Sequence, residues 1–393
     1  MEKKPQAKKK PNILLRLLAF LATLALAVGA LALVVYRDEL NMDALKRYIT
    51  YRSLTRDADG QAQSFPYDGS VNDAFAELDG SLLAAGDSGI RLYSPAGVLL
   101  AQEPVVLEQP VVSAAGRYAV VYDAGGTALR LFNGSRQLLA ADDQGTLLSA
   151  NVNPSGWMAV THQASGHKGA VTVYDGDQER AMQFNFSSRF VMDAAVSRDN
   201  SSLAVVTVDQ EEGAFRSSLL LYDLDATLAA GTHFDNAPAA RFDLGSCVAL
   251  SLRESSGGFR VAGDTGLTVC TRDGTAYSYD YSDRHLKSVA LGGGDFSALL
   301  LGKYRAGSAA DLTVVDDQGR VTGTLSTNEQ ILSLSAAGRY LAVLTADRLD
   351  IYTADLTLYS SLEGTSGARR VLMSDDGSAM LIGSESANLY IPS

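Results

Sequence analysis

The chain has 393 residues, enough for a large core or two domains, and its 46% hydrophobic and 20% charged residues are those of a folded protein, not a disordered one. Of the net charge of −12, the first twelve residues contribute +4 (five lysines against Glu2), so the remainder carries −16. Such an acidic body lacks the Lys and Arg surplus that displaces phosphate counterions, which argues against nucleic acid as a partner.

Residues 1–12 read as a basic cytoplasmic tail. Residues 13–36 read as a single transmembrane helix. From Leu17 to Tyr36 twenty consecutive residues are uncharged, and a helix of that length spans about 30 Å, the hydrocarbon thickness of a bilayer. A cleaved signal peptide is the rival reading, with Ala25-Leu26-Ala27 or Ala30-Leu31-Ala32 as the processing site. Its apolar region would be longer than usual, and no polar stretch precedes either site. The lysines before the run place the N-terminus in the cytoplasm and everything after it outside. The expected location is therefore the cell membrane, single-pass, with the C-terminal domain extracytoplasmic.

Residues 37–60 read as a juxtamembrane connector. Leu40, Ala44, Leu45, Tyr48 and Ile49 recur at helical spacing opposite Asp43, Lys46 and Arg47, which predicts a short amphipathic helix. Asp57-Ala58-Asp59-Gly60 lacks the downstream acidic ligand of a calcium loop and reads as a turn.

From residue 61 the hydrophobic period changes to two, and a phrase repeats. Ser113 to Phe132 reads SAAGRYAVVYDAGGTALRLF, and Ser335 to Tyr352 reads SAAGRYLAVLTADRLDIY. A residue ending the third apolar run of each unit recurs at Tyr93, Phe132, Tyr174, Tyr222, Cys270, Val315, Tyr352 and Tyr390. The spacing of about 40 residues suits paired helices or four-stranded propeller blades. The runs are four or five residues long and rich in Val, Tyr, Thr and Leu, which is strand chemistry. Residues 61–393 are therefore expected to form an all-β propeller of about eight four-stranded blades. Seven is the alternative, if the weak unit around residues 290–326 is miscounted. The units near Gly258 and Gly302 fit the turn marker poorly. The last unit ends after its third strand, so the stretch from Gln61 to Tyr67 is expected to supply the missing outer strand, where Pro66 is tolerable on an edge.

The turn Ser-x-x-Gly followed by a hydrophobic run, clear at Gly116, Gly156, Gly338 and Gly377, resembles the turn between the first two strands of bacterial WD40-like propeller blades such as the YVTN class. The whole layout resembles an uncharacterised family of membrane-anchored bacterial propellers whose function is unknown. That resemblance implies the fold and brings no catalytic residues.

No catalytic, cofactor-binding or metal-ligating residue is assigned from the sequence, and no cofactor is implied. There is no Gly-x-Ser-x-Gly elbow, and Gly292-Gly293-Gly294 lacks the Lys-Ser/Thr of a phosphate loop; it reads as a tight connection between blades. His162 and His167 read as exposed loop residues, and His285 as part of a polar turn. The pairs Asp142-Asp143, Glu211-Glu212, Asp316-Asp317 and Asp375-Asp376 each fall in predicted turns, where Asp accepts local backbone hydrogen bonds. Cys247 and Cys270 are too few for a disulfide-built fold and read as small hydrophobes on two strands of one repeat, or as a single disulfide. The polar insertion at residues 211–217, with Asp225 to Ala240, marks a candidate partner-binding rim. The function these features suggest is a membrane-anchored binding scaffold for a protein or cell-envelope ligand. The alternative is an envelope enzyme, of glycan lyase, hydrolase or lactonase type, with its site at the central channel.

Overall fold

The protein was analysed as a computed structural model that describes residues 17–24, 42–142, 145–211, 213–230, 237–245 and 247–392. The chain divides into two compact units, Met1–Arg52 and Ser53–Ser393. The basic tail and most of the apolar run lie outside the described residues; residues 17–24 of the run are helical. Among the described residues no helix is long and apolar enough to cross a membrane. The connector forms the helix Met42–Tyr51, with Leu45, Tyr48 and Ile49 at least half exposed.

The second unit consists of eight four-stranded antiparallel sheets, the arrangement of a β-propeller. Blades one to seven occupy residues 74–103, 110–141, 147–186, 190–243, 249–280, 285–327 and 333–363. Blade eight combines residues 370–390 with Phe65–Pro66, which pair with its third strand. The seven-bladed alternative falls, because residues 285–327 form a complete sheet. In each blade, strands a to d run from the inside outward. Successive a strands contact one another around the ring, least between blades five and six, so they line a central channel. One face of the ring carries the a–b and c–d turns, and the opposite face carries the b–c loops and the d–a connections.

The repeated end-of-strand marker has a packing explanation. Phe132 packs with Leu83 and Leu92 of blade one. Tyr174 packs with Tyr122 and Leu131 of blade two. The Tyr222 ring lies 4.7 Å from Phe184 of blade three, and Cys270 and Val315 enter clusters with the blade before them. Each marker therefore reaches back onto the preceding sheet, where an aromatic ring buries the most area per residue.

The SAAGRY phrase is a two-residue hairpin joining strands a and b. Ala115 pairs with Tyr118, and Ala337 with Tyr340. Gly116 and Gly338 sit at φ of +59° and +54°, the first central position of a turn that demands glycine there. Gly292–Gly294 departs from expectation. It is the a–b turn inside blade six and not a connection between blades, since strand a ends at Ala290 and strand b begins at Phe296. The poor fit of the marker near Gly302 has its reason here, because Gly302 ends strand b.

Candidate functional site

The two ends of the channel are built differently. At the a–b end, Arg253 of blade five donates from Nη2 to the carbonyl of Ala114 in blade two, 3.1 Å away. The side chain thus spans the channel between sheets that are not neighbours. Desolvation lowers its pKa, and the adjacent Glu254 opposes that shift. Glu254 pairs with Arg198 at 3.6 Å. The cavity here, about 30 Å³, is lined by Ala114, Asn151, Ala195, Arg253 and Glu254 among others, and has room for a water but not for a substrate. Acidic and basic groups do converge at this end, yet those that meet across the channel are engaged with one another or with backbone.

Close by, the fully buried Arg260 reaches out of strand b of blade five into the Gly292–Gly294 turn of blade six. Its guanidinium donates to the carbonyls of Leu291, Gly293 and Gly294 at 3.1, 2.5 and 3.1 Å and to Asp317 at 2.7 Å. The turn can approach because its residues lack side chains: a Cβ on Gly292 would stand 2.2 Å from the Ala336 carbonyl. The glycine run is therefore a carbonyl cage for an arginine, with no phosphate-binding geometry.

The other end of the channel carries the candidate site. Strand a of blades three, four, five and six is interrupted by a one-residue register shift, at Leu148, Met192, Leu250 and Lys287. Strand a of blades one, two, seven and eight pairs with strand b without interruption. The four shifted residues occupy one height. Five positions further on stand Asn153, Ser197, Ser255 and Gly292, all at or in the a–b turn. A bulge adds one residue to a strand, bends it and re-aims the side chain. Repeated in four consecutive blades, it leaves Leu148, Met192, Leu250 and Lys287 outside the a–b pairing, toward the d–a end of the inner strands. Leu148, Met192 and Leu250 are 36%, 45% and 60% exposed. Two residues earlier in the same strands or just before them stand Phe190, Val248 and His285, which are exposed as well.

The bulge at Met192 is held from behind by Asp193. Its carboxylate accepts from the side-chain amide of Asn151 in blade three at 2.7 Å, and that amide also donates to the Ala194 carbonyl at 3.0 Å. Desolvation pushes the Asp193 carboxyl up to about 6, against the hydrogen bonds it accepts from Ser149, the Ala194 N–H and Asn151.

At blade six the crescent becomes cationic and opens into a groove of about 390 Å³ toward blade seven. Its walls include His285, Lys287 and Arg305 with Ser288, Ser308 and Gln330, and no carboxylate lines it. Lys287 Nζ donates to the Gly307 carbonyl, which ties the bulge to the b–c loop. Beside the groove Lys303 lies over the exposed Tyr304 ring at 5.6 Å.

The residues singled out from the sequence are dispersed. His162 is buried at the end of strand b of blade three, not exposed in a loop, and its Nε2 meets Thr172 Oγ1 at 2.9 Å. His167 meets Ser187 Oγ at 2.8 Å. His285 opens strand a of blade six, not a turn. Asp142 pairs with Arg130 at 2.8 Å, Asp316 with Arg320 at 2.7 Å, and Asp57 caps its own turn through Asp59 and Gln61. Asp143, Glu212 and His233 lie outside the described residues. Cys270 is buried in strand c of blade five, whereas Cys247 lies in the connection before that blade, not on a strand; both thiols are free.

The two insertions of blade four do not form one rim. Residues 209–211 and 214–216 continue strands b and c as a ribbon beyond their neighbours, with Phe215 64% exposed on the b–c side. The helix Leu224–Ala230 follows the opposite end of strand c, a ten-residue strand away, or about 30 Å. Only the ribbon stands on the face of the bulged crescent.

The fold defines the class, an eight-bladed β-propeller, with one channel end bridged by Arg253 and register shifts in four consecutive inner strands toward the other. The sequence profile of DUF5711, a family of unknown function, matches residues 59–382, and the chain belongs to that family. No curated protein matches it. Among solved structures it is similar to the C-terminal WD40 domain of Sif2, at 14% identity and a TM-score of 0.56, covering 86% of this chain and 99% of that one. It is also similar to BamB from Moraxella catarrhalis, at 15% and 0.51, covering 84% and 97%. A third is Chaetomium thermophilum Sqt1, solved with the N-terminus of ribosomal protein L10, at 12% and 0.56, covering 84% and 99%. At these identities the likeness is one of fold.

Proposed function

We propose that this protein is a binding scaffold, anchored in the cell membrane through residues 13–36 with its propeller on the extracytoplasmic side, and that it holds an extended polypeptide segment at the d–a mouth of its channel. The observation that carries the binding reading is the run of bulges in four consecutive blades. A stability requirement would not place an exposed Leu, Met and Leu side by side at one height, since exposed apolar groups gain nothing from folding. A polypeptide fits because it offers side chains at regular spacing to successive blades. Its backbone can also pair with the inner edge of an a strand, which is hydrogen-bonded to a strand on its b side only. The Sqt1 structure, where a propeller is bound to a protein N-terminus, supports this use of the fold by analogy. The membrane placement is supported by the uncharged run and the lysines before it.

The binding reading is tested by selecting from a random dodecapeptide library against the full-length protein in lipid nanodiscs. Selected peptides should lose at least about tenfold in affinity on Met192→Asp or Leu250→Asp, as hot-spot residues do. Failure to select any peptide, or equal binding by these variants, overturns it. The topology is tested separately by protease added outside intact spheroplasts: digestion of the propeller is expected, and its protection would overturn the orientation.

A further inference from the structure

We infer that the ligand segment is acidic at one end, and that the groove between blades six and seven is the pocket for its carboxylates. This rests on the proposed function and specifies the chemistry of its ligand.

The chain beyond residue 12 carries −16, yet the groove walls hold His285, Lys287 and Arg305 and no Asp or Glu. Basic side chains elsewhere in the ring are mostly paired. Arg284 meets Asp311 at 2.8 Å, Arg348 meets Asp350 and Glu329 at 2.9 and 3.1 Å, and Arg130 meets Asp142 and Glu103 at 2.8 and 3.3 Å. Glu329 and Asp311 stand near the groove in sequence, and these pairs hold both of them. Arg305, exposed on the b–c loop of blade six, has neither an ion pair nor a side-chain hydrogen bond among the described residues. An arginine free in an acidic protein presents a planar fork suited to a carboxylate. Lys287, the bulged residue of this blade, reinforces it as a second cation in the groove wall.

The order around the ring then gives a pattern. Passing from blade three to blade six, the mouth offers Leu148, then Phe190 and Met192, then Val248 and Leu250, then His285, Lys287 and Arg305. The complementary ligand is an extended segment with two or three apolar side chains followed by acidic ones. A small free anion would use the cations but leave the apolar arc without a role, and a neutral apolar segment would leave the cations without one.

The test uses the same dodecapeptide selection on the full-length protein, followed by titration of one selected peptide. Selected sequences should place Asp or Glu next to Leu, Val, Ile or Phe. Affinity should fall tenfold or more on Arg305→Glu and on Lys287→Glu, and should weaken between 50 and 300 mM salt, as screened charge pairs do. Amidating the acidic side chains of the peptide (Asp to Asn, Glu to Gln) should cost as much in the wild type and nothing further in Arg305→Glu. Inorganic phosphate at 10 mM should not displace the peptide. Arg305 is exposed and Lys287 partly so, and unchanged thermal melting of each variant will show that the fold is intact. Peptides that lose binding with Leu250→Asp but not with the charge reversals would overturn the acidic-ligand inference and leave the binding function standing. Full displacement by phosphate would reassign the groove to a free anion and overturn it as well.

Discussion

Phe65 lies opposite Ala387 in the antiparallel pair that joins the first strand of the ring to its last blade. Its ring is 6.1 Å from that of Tyr93 in blade one, and a Cβ on Gly97 would stand 2.3 Å from the Phe65 Cβ. One residue therefore closes blade eight and docks blade one. Phe65→Ala should lower unfolding stability by about 3 kcal/mol, the usual cost of emptying a buried aromatic site. Pro66→Ala, on the same edge, should change it by about 0.5 kcal/mol or less. Urea denaturation of the two variants provides the comparison.

Arg260 makes the second prediction. It is fully buried, and four of its bonds end on the glycine turn of blade six or on Asp317. Removing it takes the arginine donor from the Leu291 and Gly293 carbonyls and the ion-pair partner from Asp317, while the Gly294 carbonyl keeps the Ser256 hydroxyl. Arg260→Leu should cost about 3 kcal/mol or more, as breaking a buried charged network does. Arg260→Lys should recover little of this, because an ammonium cannot reach several carbonyls in a plane. Chemical denaturation measures both.

Glu77 makes stability depend on pH. Burial pushes its carboxyl up to about 7 from 4.5, and the neighbouring Asp376 and Asp375 add to this against the Gly80 N–H. The folded state thus binds a proton that the unfolded state has released. Its stabilising effect is complete below pH 4.5 and is lost as pH rises through 7. Glu77→Gln should match the wild type near pH 4 and exceed it by about 2 kcal/mol at pH 8, less than the full shift implies because the side chain keeps some solvent contact. Equal pH slopes for the two proteins between pH 4.5 and 8 would contradict the assignment.

The cysteines offer a simple check of the blade-five packing. Burial pushes the Cys270 thiol up to about 12, with Asp273 adding to the effect, whereas Cys247 is only partly buried. In native protein at pH 8, iodoacetamide should modify Cys247 alone. Cys270 should react only after unfolding, because the thiolate is the nucleophile. Mass spectrometry of the alkylated peptides reads the result.

The architecture was legible because it repeats. The markers from Tyr93 to Tyr390 all end or nearly end a third strand, and their packing onto the preceding blade is the physical cause of their recurrence. The closure through Gln61 to Tyr67 was legible from the incomplete last unit. The candidate site was hidden for the opposite reason. A bulge is one extra residue in a strand, and in the sequence it shows only as a break in alternation, as in Val191-Met192-Asp193 or Ala249-Leu250-Ser251. Leu148, Met192 and Leu250 look like core residues because a period of two cannot show where the register slips. Arg260 was missed because an arginine inside an apolar strand looks like a solvated side chain until the glycine turn 31 to 34 residues later folds over it. The blade-four insertions were read as one rim because they are close in sequence, while a long antiparallel strand separates their ends in space.

The most direct test of the central claim is to place a benzophenone photocrosslinker at the centre of a selected peptide and map where it attaches to the full-length protein. Attachment to residues 146–149, 190–193 or 248–251 is the predicted result. Attachment to the opposite face, at the a–b turns near Arg117 or Arg339, would contradict the account.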